Sequence, residues 1–110
     1  MSNEPGVQNP QMLDLVSQDP ESGEFILIMV ETRGWDGSIE RIRQLQQKIN
    51  RYVAFALEGE MVRKFPDSIE KPVRIQLSCY HTPDERTLLF LNNAASKLRE
   101  EGISFSIKQI

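Results

Sequence analysis

The sequence predicts a two-layer α+β sandwich in the order ββαβαβ, a mixed four-stranded sheet with two helices on one face. Three observations carry this reading. Residues 24–32 are Glu-Phe-Ile-Leu-Ile-Met-Val-Glu-Thr, six apolar residues in a row between acidic ends. The run is too short for a buried helix and rich in β-branched residues, so it reads as a central strand covered on both faces. Residues 39–57 repeat their apolar side chains at three- and four-residue steps, which marks an amphipathic helix. Residues 72–80 and 103–108 instead alternate apolar and polar, the pattern of strands with one buried face. Half-buried strands imply that the helices cover only one side of the sheet.

At 110 residues the chain is one domain, long enough to bury a core without disulfides or metals. No apolar run approaches the roughly 18 residues that a membrane span needs. The first residues, Met-Ser-Asn-Glu-Pro-Gly, lack the basic and apolar regions of a signal peptide, and the single Cys79 has no internal partner. A cytoplasmic location is expected. The net charge of -3 is uneven, because residues 1–24 contain five acidic residues and no Lys or Arg; removing those five negative charges leaves +2 on residues 25–110. That balance is far below the strong positive field of a dedicated nucleic-acid binder.

Residues 1–11, with Pro5, Gly6 and Pro10 and no apolar periodicity, read as a disordered tail, and the domain as 12–110. Residues 12–17 form a short strand that turns through Asp19-Pro20-Glu21-Ser22-Gly23 into the central strand as a β-hairpin. Gly34-Trp35-Asp36-Gly37-Ser38 then opens the first helix, with Asp36 or Ser38 as its N-cap. Its apolar stripe is Ile39, Ile42, Leu45, Ile49, Tyr52, Val53, Ala56 and Leu57, and Gly59 stops it. Residues 60–71 form a connection whose Met61, Val62 and Phe65 tuck against the helix. In the next strand Val73, Ile75, Leu77 and Cys79 point one way, and Arg74, Gln76, Ser78 and Tyr80 the other. Thr82-Pro83-Asp84-Glu85 has the form of a capping box with Pro at the first helical position, opening a second helix that runs to about Glu101. The last strand alternates Ile103, Phe105 and Ile107 with Ser104, Ser106 and Lys108. The second helix with its flanking strands suits a right-handed parallel βαβ unit beside the antiparallel hairpin. Strand order stays open, as does which parity of the central strand faces the helices.

The pattern Asp19-Pro20, Trp35-Asp36, a long Gln- and Leu-rich helix with Asn50, Tyr52 and Phe55, then Gly59 and Phe65-Pro66 resembles a family of small bacterial proteins known only as a domain of unknown function. The resemblance spans about residues 13–110. Cys79-Tyr80-His81 departs from the pattern. The matching motifs are turns and core positions, so the resemblance implies no active site, substrate or partner.

No catalytic, cofactor-binding or metal-ligating residue is assigned, and the chain does not read as an enzyme. Cys79 and His81, two apart on a strand, would suit a thiolate and its base, but Cys79 continues an apolar row and His81 lies in a turn. One Cys and one His do not close a tetrahedral metal shell. Asp84 and Glu85 sit where the positive end of a helix favours acids. Gly34-Trp35-Asp36-Gly37 lacks the phosphate-loop spacings, and Trp35 reads as a staple between helix start and core. Phe55 and Leu89 lie off the apolar stripes; Phe55 is either covered by the 60–71 connection or exposed, and the exposure of Leu89 stays open.

Three function classes remain. The favoured one is a protein-interaction module, a homodimer or a complex with another protein, that uses the helix-free sheet face with Arg74, Gln76, Ser78, Tyr80, Ser104, Ser106 and Lys108 around an apolar centre. The alternative is nucleic-acid or polyanion binding through Arg41, Lys48, Arg51 and Phe55 on the first helix. The third is an enzyme with an unrecognised site. No membrane partner is expected, and whether a small molecule binds stays open.

Overall fold

The computed structural model describes residues 6, 7 and 13–110. Four strands, β1 (Leu15–Gln18), β2 (Phe25–Glu31), β3 (Val73–Cys79) and β4 (Ile103–Gln109), form one sheet in the order β1-β2-β3-β4. β1 is antiparallel to β2, whereas β2, β3 and β4 are parallel. Helix α1 (Ile39–Leu57) links β2 to β3 and α3 (Glu85–Glu100) links β3 to β4. Such crossovers are right-handed almost without exception, and both step the same way along the sheet, so both helices land on the same face. The α+β class and the ββαβαβ order are those the sequence predicts. One further short helix, α2 (Glu60–Lys64), and a 3₁₀ turn at Pro66–Ser68 occupy the connection expected to be irregular.

Local chemistry explains the element boundaries. The β1–β2 hairpin closes with Gly23 donating to the Asp19 carbonyl, at a φ of +77° that a glycine tolerates and a side chain resists. Ser38 caps α1, its Oγ accepting from the Arg41 N–H, while Asp36 accepts from the Ser38 N–H one step earlier. Helix α3 starts later than the Thr82 capping box suggests. Its N-cap is Asp84, whose carboxylate accepts from both the N–H and the hydroxyl of Thr87, and Thr82 instead bonds Gln109. The Thr87 hydroxyl is the first cause of a lowered Asp84 pKa. Gly37, at a φ of +67°, lies so close to this cap that a Cβ there would meet Asp84 Oδ2 at 2.9 Å.

The core lies between helices and sheet: Phe25, Leu27 and Met29 of β2, Ile75 and Leu77 of β3, and Ile103 of β4 meet Leu45, Ile49, Tyr52 and Phe55 of α1 and Leu91 and Leu98 of α3. The sheet-facing side of α1 is therefore Leu45, Lys48, Ile49, Tyr52 and Phe55, rotated from the expected stripe. Phe55 is buried in the same cluster as Met61, while Ile39, Leu57 and Leu89 are exposed.

Most of the expected tail, residues 1–5 and 8–11, lies outside the described residues, as does Met12 of the first strand. Gly6 and Val7 are described and do not behave as a tail. Val7 is fully buried in the core and donates its N–H to the Val30 carbonyl at 3.0 Å.

Candidate functional site

The parity of β2 follows from its register. Phe25, Leu27, Met29 and Glu31 lie beside Val73, Ile75, Leu77 and Cys79, the row that faces the helices. Ile26, Ile28 and Val30 consequently point to the helix-free face, beside Arg74, Gln76 and Ser78, which are in turn paired with Ser104, Ser106 and Lys108. Leu15 lies opposite Ile28 and is 56% exposed. On this face the β2 side chains are half-buried, so the strand is not covered on both faces, which corrects that expectation. The candidate surface is thus one apolar strip, Leu15, Ile26, Ile28 and Val30, flanked on one side by polar residues. Arg74 Nε reaches Glu24 at 3.1 Å, Gln76 donates to the Ser78 hydroxyl at 3.0 Å, and Tyr80, just past β3, is exposed. All seven rim residues named from the sequence fall on or next to this face. Leu15 was missed; its alternation with Ser17 along a short strand was the available signal.

The second polar assembly closes the end of β2 that runs past β1. Lys48 of α1, fully buried, donates to Asp14 Oδ1 and to the Gly6 carbonyl, both at 2.8 Å. Asp14 also accepts from the Gly6 and Val30 N–H groups. The Tyr52 hydroxyl donates to the Ile28 carbonyl at 2.7 Å and accepts from the Asp14 N–H at 2.9 Å. Burial is the main influence on both titrating groups, lowering the Lys48 pKa and raising that of Tyr52 well above the ordinary phenol range.

A third cluster sits at the carboxyl end of the parallel strands, the usual ligand position in open α/β sheets. Buried Glu31 holds Arg33 at 2.7 Å and Arg41 at 3.1 Å through Oε1, and its Oε2 has no hydrogen-bond partner among the described residues. Arg41 also donates to the Gly34 carbonyl and stands 5.6 Å from the Trp35 ring centre. Trp35 in turn donates to the His81 carbonyl at 2.8 Å, tying the two strand-to-helix turns together as a staple. The arginines are spent on Glu31 and on backbone, so the cluster fastens the β2–α1 turn. Cys79 is fully buried next to Glu31, and burial first and the Glu31 carboxylate second push its thiol up, which makes it a poor nucleophile near neutral pH. His81 is exposed and contributes its backbone.

The four residues of the polyanion alternative do not form one solvent face. Lys48 and Phe55 are buried, Arg41 is engaged with Glu31, and Arg51 pairs with Glu60, whose carboxyl it holds below the usual range. Val53 of the expected α1 stripe, together with Ile49, faces a groove of about 640 Å³ between α1 and α3, lined on the other side by Phe90, Ala94 and Leu98. Among the described residues no helix is long and apolar enough to cross a membrane.

No curated protein and no solved structure is significantly similar to the chain. Residues 6–110, from the buried Gly6-Val7 segment to Ile110 just past β4, match the family model described as a family of unknown function (DUF6572), and the chain belongs to that family.

Proposed function

We propose that this domain is a protein-interaction module that captures its partner with the helix-free face of the sheet, in the cytoplasm. The observation that carries the reading is the strip of Leu15, Ile26, Ile28 and Val30, apolar side chains turned away from the core on strands that the core holds rigid. An apolar centre with a polar, hydrogen-bonding border is how non-obligate interfaces are built. Arg74 and Gln76 are already tethered to Glu24 and Ser78, so docking costs them less side-chain entropy than free surface chains would lose. The unpaired Cys79, buried rather than bridged, is in keeping with a reducing compartment.

The test compares Ile28→Lys with Leu27→Lys. Leu27 is fully buried under the helices, so its variant is expected to unfold; Ile28→Lys is expected to keep the parent's far-UV circular dichroism and lose the partner recovered from the native host. Capture of the same partner by folded Ile28→Lys, or capture of nothing by the parent, overturns the reading.

A further inference from the structure

We propose that β4 is a pairing edge and that its occupant is β4 of a second copy, joining two four-stranded sheets into one eight-stranded sheet. The inference is independent of what the helix-free face binds. Among the described residues β4 has no neighbour on its outer side. It is seven residues long, with no proline and with Lys108 as its one charged residue, so it lacks most of the devices that blunt a free edge.

The direction of its unpaired backbone groups follows from the ladder. The Ile110 N–H donates to the Cys79 carbonyl, so even-numbered residues of this segment turn their backbone groups toward β3. The alternation along a strand then turns those of Phe105, Ile107 and Gln109 outward. Along the same edge Phe105 is half-buried, while Ile107 is 37% and Ile110 57% exposed. Next to Phe105 lies a hollow of about 240 Å³, lined by Ala95 and Arg99 of α3, Ile103, Ser104 and Phe105 of β4 and Arg74 of β3.

An antiparallel pair of β4 strands with Ser106 on the two-fold axis satisfies all of these features together. Phe105 then faces Ile107 of the second copy as a hydrogen-bonded pair, and Ile103 faces Gln109, so every outward backbone group in that span meets its complement. Ile107 of each copy comes to lie on Phe105 beside the hollow of the other, and the exchange is reciprocal, as an isologous interface requires. Lys108 faces Ser104, so no like charges meet. The axis stands perpendicular to the sheet, which keeps both pairs of helices on one side and sets two helix-free faces next to each other on the other side. Strand addition of this kind draws its affinity from main-chain hydrogen bonds.

The experiment combines molar mass with crosslinking on the full chain. The parent at high micromolar concentration is expected at twice 12.7 kDa by light scattering. Ile107→Pro removes an outward N–H and leaves the β3 ladder intact, so it is expected to be a folded monomer by light scattering and circular dichroism. The Ser106→Cys variant reports whether or not Ile107→Pro folds. Residues facing each other in a non-hydrogen-bonded antiparallel pair have Cα atoms about 4.5 Å apart, within the disulfide range of about 4.4–6.8 Å. Mild oxidation should crosslink Ser106→Cys to a covalent dimer in high yield and leave Ser104→Cys uncrosslinked; the native Cys79 is buried and does not compete. A monomeric parent, or a dimer in which Ser106→Cys crosslinks no better than Ser104→Cys, overturns the proposal.

Discussion

At the β1 edge, β2 runs past its four-residue partner strand, and the backbone groups of Val30 that would be left over are met by the Val7 N–H and the Asp14 carboxylate. At the β4 edge, the outward groups of a seven-residue strand meet nothing among the described residues. The end of β2 beyond β1 is closed from within by a buried ion pair, Lys48 with Asp14, whose desolvation is offset by hydrogen bonds to Gly6 and Val30. Such a closure is sensitive to the loss of any member, but it fixes where the N-terminal segment docks. An edge without such a closure stays available to another strand. The difference shows that a sheet edge is either satisfied inside the chain, at the cost of buried polar groups, or left as a surface that another chain can complete.

The largest expected effect breaks the closed edge. Asp14→Ala takes the carboxylate from the buried Lys48 ammonium and the acceptor from the Val30 N–H, and should cost about 3–5 kcal/mol of stability. Urea unfolding measures the loss, and amide exchange at Val30 should accelerate well beyond that at Leu77, whose strand is flanked on both sides. Stability unchanged within error would mean that the pair does not close this edge.

A smaller effect is expected from Tyr52→Phe, which leaves the Ile28 carbonyl and the Asp14 N–H without their shared hydroxyl and should cost about 1–3 kcal/mol. The same group gives the pair of edges a pH signature. Burial raises the Tyr52 pKa in the folded state, so the unfolded chain releases this proton first as pH climbs. The contribution is fully present below the unfolded value of about 10 and declines as pH rises above it. Stability of the parent should therefore fall more steeply above about pH 10 than that of Tyr52→Phe, read from urea midpoints across the alkaline range. Equal slopes would contradict a buried, neutral hydroxyl.

The smallest effect belongs to the open edge. Ile107→Ser, on an exposed side chain, should shift the stability of dilute monomer by no more than about 0.5 kcal/mol. A loss as large as that of Tyr52→Phe would show that β4 is packed within its own chain and erase the contrast.

Local periodicity and composition were enough for the α+β class, the ββαβαβ order, both long helices and the half-buried strands, because spacings of two and of three to four residues report which faces a segment must bury. Capping chemistry narrowed the start of α1 to Asp36 or Ser38, of which the structure selects Ser38, but it misplaced the start of α3, since Thr82 and Asp84 both offer cap side chains and only the close approach of the Asp84 carboxylate to Thr87 selects between them. Three matters lay beyond local pattern. Both parities of β2 are apolar, so only its register against the alternating β3 assigns Ile26, Ile28 and Val30 to the helix-free face. Lys48 looks like a solvated base among Gln and Arg neighbours; it is buried because Asp14, thirty-four residues earlier, arrives beside it with Gly6 and Tyr52. Gly6 and Val7 have no apolar company in sequence, and only the leftover edge of β2 supplies the hydrogen bonds and cover that order them. In each case the deciding partner is far along the chain, and a sequence pattern reads neighbours while a folded structure is decided by contacts.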